Sequence, residues 1–206
     1  MEQIRSFIAI ELPSELKLEL TQLEAKLKGD KQPGIKWVSP DSIHLTLKFL
    51  GNIAGDRTGE ITRAIEAAAQ GITPFHLKVK ELGVFPNLRR VQVAWVGISG
   101  ELDKLSQLQK RLESNLKPLG FTPESRPFTA HLTLARLRDQ VSLDERHRFG
   151  QLIANTTFES SYNIEVNAIS LMRSQLTREG AIYSRISLVK LQRGNLSNET
   201  QRDMPI

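Results

Sequence analysis

The sequence contains no cysteine among its 206 residues. Disulfide bonds and thiolate-bound metal sites are therefore excluded, and the composition is compatible with a reducing compartment. No apolar run reaches the length that crosses a membrane. The N-terminal segment has an acidic residue at position two, and Arg5 and Glu11 interrupt its apolar run, which is typical of a first strand rather than of a signal peptide. We therefore expect a cytoplasmic protein.

The charge balance is mildly basic. The formal net charge is +5 and the isoelectric point is near 9.6. This balance favours an anionic partner, with nucleic acid as the first candidate, although many soluble proteins share it. Hydrophobic residues make up 39% and charged residues 25%, which is ordinary for a globular chain of this length with a sizeable core.

One order of elements occurs twice along the chain. The first copy has a strand, a leucine-faced helix and a strand that contains a histidine, predicted over residues 4–11, 14–29 and 43–51. The second copy has the same elements, predicted over residues 91–98, 101–116 and 130–137. Matched positions are 85 to 87 residues apart, as in Leu20 with Leu105 and His44 with His131. The chain is therefore predicted to contain two related halves.

The remaining pattern completes a fold of the α+β class. It predicts a turn at 39–41, strands over 35–38, 75–82, 161–174 and 181–191, helices over 58–70 and 143–154, and a loop over 83–90. The last two strands face each other across the hairpin turn "QLTREG". We predict one bilobal domain over 1–191, in which pseudo-two-fold duplicated lobes line a central cleft with antiparallel sheets and carry their helices outside. The tail over 192–206 has little apolar content and is predicted to be flexible.

The two histidine strands share the tetrapeptide His-Leu-Thr-Leu, which begins at His44 and again at His131. Because side chains alternate along a strand, His44 and Thr46 share one face and the two leucines share the other. His131 and Thr133 are related in the same way. If a rough two-fold relates the lobes, the polar faces meet across a cleft with two imidazoles and two hydroxyls.

Such a set suits the cleavage of a phosphodiester. A neutral histidine accepts a proton from the attacking water or hydroxyl, and a protonated histidine donates one to the leaving oxygen, since the unperturbed pKa of about 6.5 allows both forms. The threonine hydroxyls are suited to hold phosphate oxygens. For one copy, a structural histidine and a packing threonine would be the commoner reading. Because two copies occur at matched positions, we favour a catalytic role for these residues over a structural one.

Arg136 follows His131 by five residues and is a candidate phosphate clamp. Strict alternation puts it on the leucine face, so that it needs a bulge or the end of the strand to reach the site, and a solvated arginine is an equal alternative. Zinc is disfavoured because there is no cysteine and no third clustered histidine, so neither metal nor cofactor is expected. His76 and His147 have no repeat partner and are expected to be structural or solvated.

Other cations are candidates for a basic rim that follows an RNA backbone, with scattered surface charge as the alternative for each of them. They are Lys78, Lys80, Arg89, Arg90, Arg138, Arg173, Arg178 and Arg185.

The paired His-x-Thr-x motifs resemble those of the two-histidine phosphoesterase superfamily, and in particular those of the RNA 2′,3′-cyclic phosphodiesterase (2′-5′ RNA ligase) family. Further stretches between about Arg5 and Leu191 resemble family landmarks in family order: "RSFIAIELP", "WVSPDSIHLTLKFLG", "GVFPNLRRVQVAWVGI", "HLTLAR" and "LMRSQLTREGAIYS". One position departs from the pattern, because Ala130 stands before the second motif where the family often has proline.

The resemblance implies a site between two lobes and metal-free opening of an RNA 2′,3′-cyclic phosphate to a 2′-phosphomonoester. It implies that His44 protonates the departing 3′ oxygen and that His131 activates water, an order that the sequence itself leaves open. The other implied roles are phosphate binding, by Thr46, Thr133 and Arg136, and stacking on a base, by Phe7 or Tyr183.

Two alternatives stay open at this point. The same site run in reverse is a 2′-5′ RNA ligase, and a protein that keeps the fold without the chemistry is a non-catalytic RNA-binding module. The expected partner is RNA with 2′,3′-cyclic phosphate ends, for which tRNA fragments are one candidate source. A monomer is the default expectation.

Overall fold

The computed structural model of the chain describes residues 2–29, 32, 34–177 and 181–192. The strands are β1 (Gln3–Glu11), β2 (Ile35–Trp37), β3 (His44–Ala54), β4 (Phe75–Phe85), β5 (Val93–Gly100), β6 (His131–Leu137), β7 (Glu159–Val166), β8 (Ala168–Leu176) and β9 (Ala181–Lys190). The helices are α1 (Ser14–Leu27), α2 (Thr58–Ala69), α3 (Leu102–Leu116) and α4 (Leu143–Ala154). Over these described residues, no helix has the length and apolar character needed to span a membrane.

The helices form where the sequence places apolar residues at helical spacing. In α1, the buried residues include Leu16, Leu20, Leu23 and Leu27, which repeat at intervals of three and four. Helix α4 starts at a capping box, in which the Ser142 hydroxyl accepts from the Glu145 backbone N–H while the Glu145 carboxylate accepts from the Ser142 backbone N–H. The predicted helices are therefore all present, with bounds within a few residues of the prediction.

Two antiparallel sheets carry the strands. The first sheet has the order β3-β1-β8-β9, and the second sheet has the order β2-β6-β5-β4-β7. The predicted pairing of the last two strands is present, with Leu176 paired to Ala181, and residues 178–180 of the predicted turn lie outside the described residues. The α+β class with antiparallel sheets is confirmed.

The predicted strand over 161–174 is wrong as a single element. The chain leaves the second sheet at the end of β7 and enters the first sheet at the start of β8, with Asn167 between them. Other strand bounds differ from the prediction by a few residues, and β5 runs over Val93–Gly100 instead of 91–98. Strand β3 continues to Ala54, and β4 continues to Phe85 through residues that were expected to form a loop. A bulge at Glu81, whose φ is +66°, lets β4 continue beyond Lys80.

Each sheet is covered by a helix that follows a strand of the other sheet. Helix α1 follows β1 of the first sheet but contacts β7 of the second, whereas α3 follows β5 of the second sheet and contacts β3 of the first. Helices α2 and α3 pack on each other. One apolar core therefore extends through both halves, and it includes Leu45 of the first His-x-Thr motif and Leu132 of the second. The predicted tail lies outside the described residues from position 193 onward.

Candidate active site

The two histidine strands meet at the junction of the sheets, because β3 of the first sheet contacts β6 of the second. Both strands show the predicted alternation. Leu45 and Leu132 are fully buried, while the histidines that precede them are partly exposed. Thr46 and Thr133 are partly exposed in the same way. The polar face of each motif is therefore directed away from the common core.

A bulge brings Arg136 onto the polar face of β6. Thr133 pairs with Trp95 and Ala135 pairs with Ala94, so that Leu134 is an extra residue opposite β5. Leu134 and Ala135 are both buried, and Arg136 is exposed. The extra residue reverses the alternation and places Arg136 on the side of His131 and Thr133. Strict alternation had put this side chain on the leucine face, and the bulge is the physical reason for the difference.

The first half contains the same bulge at the same place. Thr46 pairs with Ala9 and Lys48 pairs with Ile8, which leaves Leu47 as the extra residue. Phe49, five residues after His44, then comes to the polar face and is 58% exposed. Phe49 is thus the counterpart of Arg136. The sequence pattern missed Phe49, although its spacing from the histidine was an available signal.

The strands paired with the two histidine strands also correspond, since β1 pairs with β3 as β5 pairs with β6. They carry a second difference between the two halves. On β1, Glu11 lies directly opposite His44, whereas on β5 Gly97 lies directly opposite His131. Directly opposite residues in an antiparallel pair project to the same face. The first half therefore presents a carboxylate beside its histidine. The second half has Gly97 beside its histidine, and its charged group is the Arg136 guanidinium, five residues after His131 on β6.

Both imidazoles are fixed by the same backbone contact. Nδ1 of His44 lies 2.8 Å from the Ser42 carbonyl oxygen, and Nδ1 of His131 lies 2.7 Å from the Thr129 carbonyl oxygen. Because a carbonyl oxygen only accepts, Nδ1 carries the hydrogen and donates it in each case. Nε2 is then the atom that accepts a proton in the neutral ring and carries one in the cation. Both histidines are thus set to exchange protons through Nε2.

Two aromatic rings flank each histidine. The His44 ring stacks on Phe7 at a centroid distance of 4.5 Å and meets the edge of Tyr183 at 5.0 Å. The His131 ring lies 5.1 Å from Phe85 and 6.4 Å from Trp95. The Trp95 indole lies flat against the backbone at Gly83, where an added Cβ would be 2.1 Å from a ring atom. The aromatic rings restrict both imidazoles and remove water from one side of them.

The two histidines have different electrostatic surroundings. The pKa of His44 lies below its ordinary value, because burial and the charge of Lys17 lower it more than the hydrogen bond to Ser42 and the charge of Glu11 raise it. The pKa of His131 is lowered as well, because burial and the charge of Arg136 lower it more than the hydrogen bond to Thr129 raises it. The nearby carboxylate favours the protonated form of His44, and the nearby guanidinium favours the neutral form of His131.

The positive charge of Arg136 affects the pKa of residues in both sheets. Burial raises the pKa of Tyr183, while the positive charges of Arg136 and Arg5 lower it. Tyr183 belongs to the first sheet and touches His44, whereas Arg136 belongs to the second sheet and acts on His131. The charge of Arg136 therefore lowers the pKa of His131 itself and of Tyr183, whose ring contacts His44.

The predicted stacking residues differ in how much ring surface they offer. Phe7 is only 3% exposed, and His44, Phe49 and Tyr183 surround its ring. Tyr183 is partly exposed. Phe49 lies 6.2 Å from Phe7 and offers the largest free aromatic surface of the three.

The other sequence candidates have separate environments. His76 is exposed and forms an ion pair with Glu101 at 3.8 Å, and His147 contacts Gln151 on α4. Arg173 and Arg185 bind Glu2 and Glu11, each at 2.7 Å. The exposed cations of the predicted rim include Lys78, Arg89, Arg90 and Arg138, and Arg178 lies outside the described residues. Across residues 2–29, 32, 34–177 and 181–192, no group of three or more metal-ligating side chains is close enough to hold an ion.

A pocket of about 390 Å³ lies away from the histidines. It is formed mainly by β2, the segment after β6 and α4, and its lining includes Ile35, Val141 and Phe149. It contains no residue of either His-x-Thr motif. The chemistry suggested by the two motifs therefore belongs to the open polar faces of β3 and β6.

Comparison with known proteins agrees with the repeat. A family model described as "LigT like Phosphoesterase" matches residues 10–95 and matches again over residues 96–183. An RNA 2′,3′-cyclic phosphodiesterase of Methanothermobacter thermautotrophicus is 30% identical over 190 residues, which are 92% of this chain and 100% of the relative. A protein of the same name from Aquifex aeolicus is 30% identical over 192 residues, which are 89% of this chain and 95% of the relative.

The fold is shared with a solved structure as well. Escherichia coli LigT complexed with 3′-AMP matches with a TM-score of 0.73 at 24% identity, over 93% of this chain and 100% of that chain.

Proposed function

The chain belongs to the LigT-like phosphoesterase family, and we propose that it hydrolyses RNA 2′,3′-cyclic phosphate ends to 2′-phosphomonoesters without a metal ion. The names of its relatives support this substrate class. The observation that carries the mechanism is the repeated geometry, in which each imidazole donates Nδ1–H to a backbone carbonyl and keeps Nε2 for proton exchange. The reaction needs one proton acceptor and one proton donor, which is what such a pair supplies.

In the proposed reaction, water attacks phosphorus and its proton passes to Nε2 of neutral His131. The bond between phosphorus and the 3′ oxygen breaks, and the 3′ oxygen receives the proton of Nε2 of protonated His44. The phosphate remains on the 2′ oxygen. One proton enters the enzyme and one leaves it, so that both histidines return to their starting forms by exchange with solvent.

The charges beside the two rings support this order of roles. Burial lowers the pKa of both rings. At His44 the charge of Glu11 opposes this effect and favours the protonated form of an acid, whereas at His131 the charge of Arg136 adds to it and favours the neutral form of a base. The sequence left the order open. The difference between Glu11 and Gly97, at equivalent positions of the two halves, is the structural reason to choose one order.

The phosphate is proposed to lie between the two motifs. The hydroxyls of Thr46 and Thr133 share the polar faces of the histidines and are suited to donate to the non-bridging oxygens. Arg136 stabilises the negative charge that develops there, since a guanidinium offers several donors in one plane. The base of the terminal nucleotide is proposed to stack on Phe49 or Tyr183, because Phe7 is almost fully covered.

The test is turnover of 2′,3′-cyclic AMP in the presence of EDTA, with the product separated by chromatography. We expect 2′-AMP. Replacing His44 or His131 by alanine should lower kcat by about 10²–10⁴-fold, the usual contribution of a general acid or base. His76→Ala is the matched control, since His76 is exposed and ion-paired away from the site, and it should leave kcat unchanged.

Other outcomes identify the alternatives. Full turnover by both single variants would contradict the assignment, and loss of turnover in EDTA would contradict the metal-free mechanism. RNA binding without turnover in the unaltered protein would indicate a binding module. Joining of 2′-phosphate and 5′-hydroxyl ends by the same histidines would indicate ligase activity.

A further inference from the structure

Glu11 is placed beside His44 and is held there by two other strands. It is the direct cross-strand partner of His44 in the β1–β3 pair. Its Oε1 accepts from Nε of Arg185 at 2.7 Å and from the Ser170 hydroxyl at 2.5 Å, and its Oε2 accepts from Nη2 of Arg185 at 2.9 Å. Ser170 and Arg185 therefore hold the carboxylate in place, whereas a glutamate at the end of a strand is ordinarily free to move in solvent.

The holding residues belong to the polar face of the first sheet. Ser170, on β8, pairs with Ala9 and is 1% exposed. Arg185, on β9, pairs with Met172, which packs with Phe7 and Ala9 in a small apolar cluster under His44. Arg185 binds Glu11 through two nitrogens, and this geometry commits it to the carboxylate rather than to a phosphate of a ligand.

We propose that Glu11 is a positioning residue of the reaction, whose carboxylate opposes the effect of burial on His44 and so increases the fraction of His44 in the protonated form that the leaving oxygen requires. This inference rests on the proposed function. Glu11 contacts no reacting atom and acts through the imidazole across the strand pair. The second half has Gly97 at the equivalent position, so that the repeated scaffold supplies a carboxylate to one histidine alone.

The charged and titratable groups around His44 come from several elements. They are Glu11 on β1, Lys17 on α1, and Tyr183 and Arg185 on β9. Lys17 opposes Glu11 at the imidazole, and Arg185, paired with Glu11, offsets part of the charge of the carboxylate. Among these groups, Glu11 is the one whose charge favours protonated His44. Removing that charge while keeping the shape of the side chain should therefore change how His44 titrates.

The test is the Glu11→Gln variant, with kcat/KM for 2′,3′-cyclic AMP measured against pH. The fall of kcat/KM on the alkaline side reports loss of the proton from the acid, and the fall on the acidic side reports protonation of the base. We expect the alkaline limb to move to lower pH and the acidic limb to stay in place. A residue with a merely structural role would lower the rate without moving one limb alone.

Glu2→Gln is the matched control. Glu2 binds Arg173 at 2.7 Å at the other end of β1, and Arg173 pairs with Ser6, whose side chain lies on the opposite face from Phe7. The same change of charge on the same sheet should move neither limb. The Glu11→Asp variant, which retains the charge, should return the alkaline limb toward its position in the unaltered protein.

Titration of the His44 ring by NMR, in the unaltered protein and in Glu11→Gln, gives a readout that does not need turnover. The midpoint should move to lower pH in the variant, and that of His131 should not move. Unmoved limbs, limbs that move together, or an unchanged His44 midpoint would overturn the inference. If the unaltered protein does not turn over the substrate, the proposed function fails, while the NMR titration still decides whether Glu11 controls the protonation of His44.

Discussion

Phe49 and Arg136 occupy the same place in two copies of one motif, and their side chains suit opposite ends of a nucleotide. Each follows its histidine by five residues, and each is turned to the polar face by a bulge after the threonine. A guanidinium binds phosphate, whereas an exposed ring offers its face to a base. The two halves of the repeated scaffold therefore present different side chains at equivalent positions.

Removing the ring of Phe49 should weaken substrate binding more than the chemical step. Stacking on an aromatic ring contributes about 1–3 kcal/mol per base, so Phe49→Ala should raise KM for 2′,3′-cyclic AMP about 5- to 150-fold with little change in kcat. Steady-state kinetics measures both constants. Tyr162→Ala is the control, because Tyr162 is 46% exposed on the edge strand β7. A lower kcat with an unchanged KM would show that Phe49 does not bind the base.

At the scale of residues, the sequence singled out candidates more readily than it gave the directions of their side chains. The repeated His-x-Thr units pointed to His44 and His131, whereas strict alternation left Arg136 dependent on a bulge to reach the polar face and did not single out Phe49. The cause is one extra residue in each strand, Leu47 and Leu134, which only the pairing with a neighbouring strand reveals. The role of Nδ1 likewise depends on backbone carbonyls that the sequence does not place.

At the scale of elements, a buried lysine ties the first histidine strand to a helix of the second half. Lys48 is 3% exposed and lies in the bulge after Thr46. Its Nζ donates to Glu113 Oε2 on α3 at 2.9 Å and to the Thr122 carbonyl oxygen at 2.6 Å. Because β3 carries His44, this contact fixes the histidine strand relative to the second half.

Replacing Lys48 by methionine should destabilise the fold. The change keeps most of the apolar stem but removes the cation that donates to Glu113 and to the Thr122 carbonyl, and Glu113 then keeps the neutral Gln109 amide as a donor. Breaking a buried pair in this way costs about 3–5 kcal/mol. Urea unfolding should show a lower midpoint. Adding Glu113→Gln to Lys48→Met should recover part of the loss, since no unpaired carboxylate then remains. An unchanged midpoint for Lys48→Met would show that the contact is weak.

The element prediction failed where the chain changes sheets. The stretch over 161–174 has continuous strand-forming residues, and we predicted one strand. Its buried residues are at even positions in β7, as in Ile164 and Val166, and the buried aliphatic residues that follow in β8 are at odd positions, as in Ile169 and Leu171. This change of phase at Asn167 was a signal of the break, because side chains of one strand keep a strict period of two.

At the scale of the whole molecule, the sequence predicted the duplication but not which sheet each helix covers. Matched leucines and histidines revealed two halves. They did not reveal that α1 packs on the second sheet and α3 on the first, because an amphipathic helix specifies that it must be covered and not which sheet covers it. The exchange explains why one core serves both halves and why the two histidine strands are held against each other.

The distribution of positive charge leads to a prediction about substrate length. Arg89 and Arg90 are exposed on the turn between β4 and β5, four and five residues after Phe85, whose ring contacts His131. An RNA strand that enters the site from this side would contact them through its phosphates, whereas a cyclic mononucleotide would not. Each phosphate contact to a single strand adds about 0.7 to the slope of log affinity against log salt.

We therefore expect KM for a short RNA with a 2′,3′-cyclic end to rise more steeply with salt than KM for 2′,3′-cyclic AMP. The Arg89→Gln/Arg90→Gln variant should reduce the slope for the RNA by about 1.4, which corresponds to two lost contacts, and should leave the mononucleotide unaffected. Lys26→Gln/Lys110→Gln removes the same charge from exposed positions on α1 and α3 and should change neither slope. Equal slopes for the two substrates in the unaltered protein would mean that the RNA does not follow this turn, and equal effects of the two double variants would mean that net charge alone attracts the substrate.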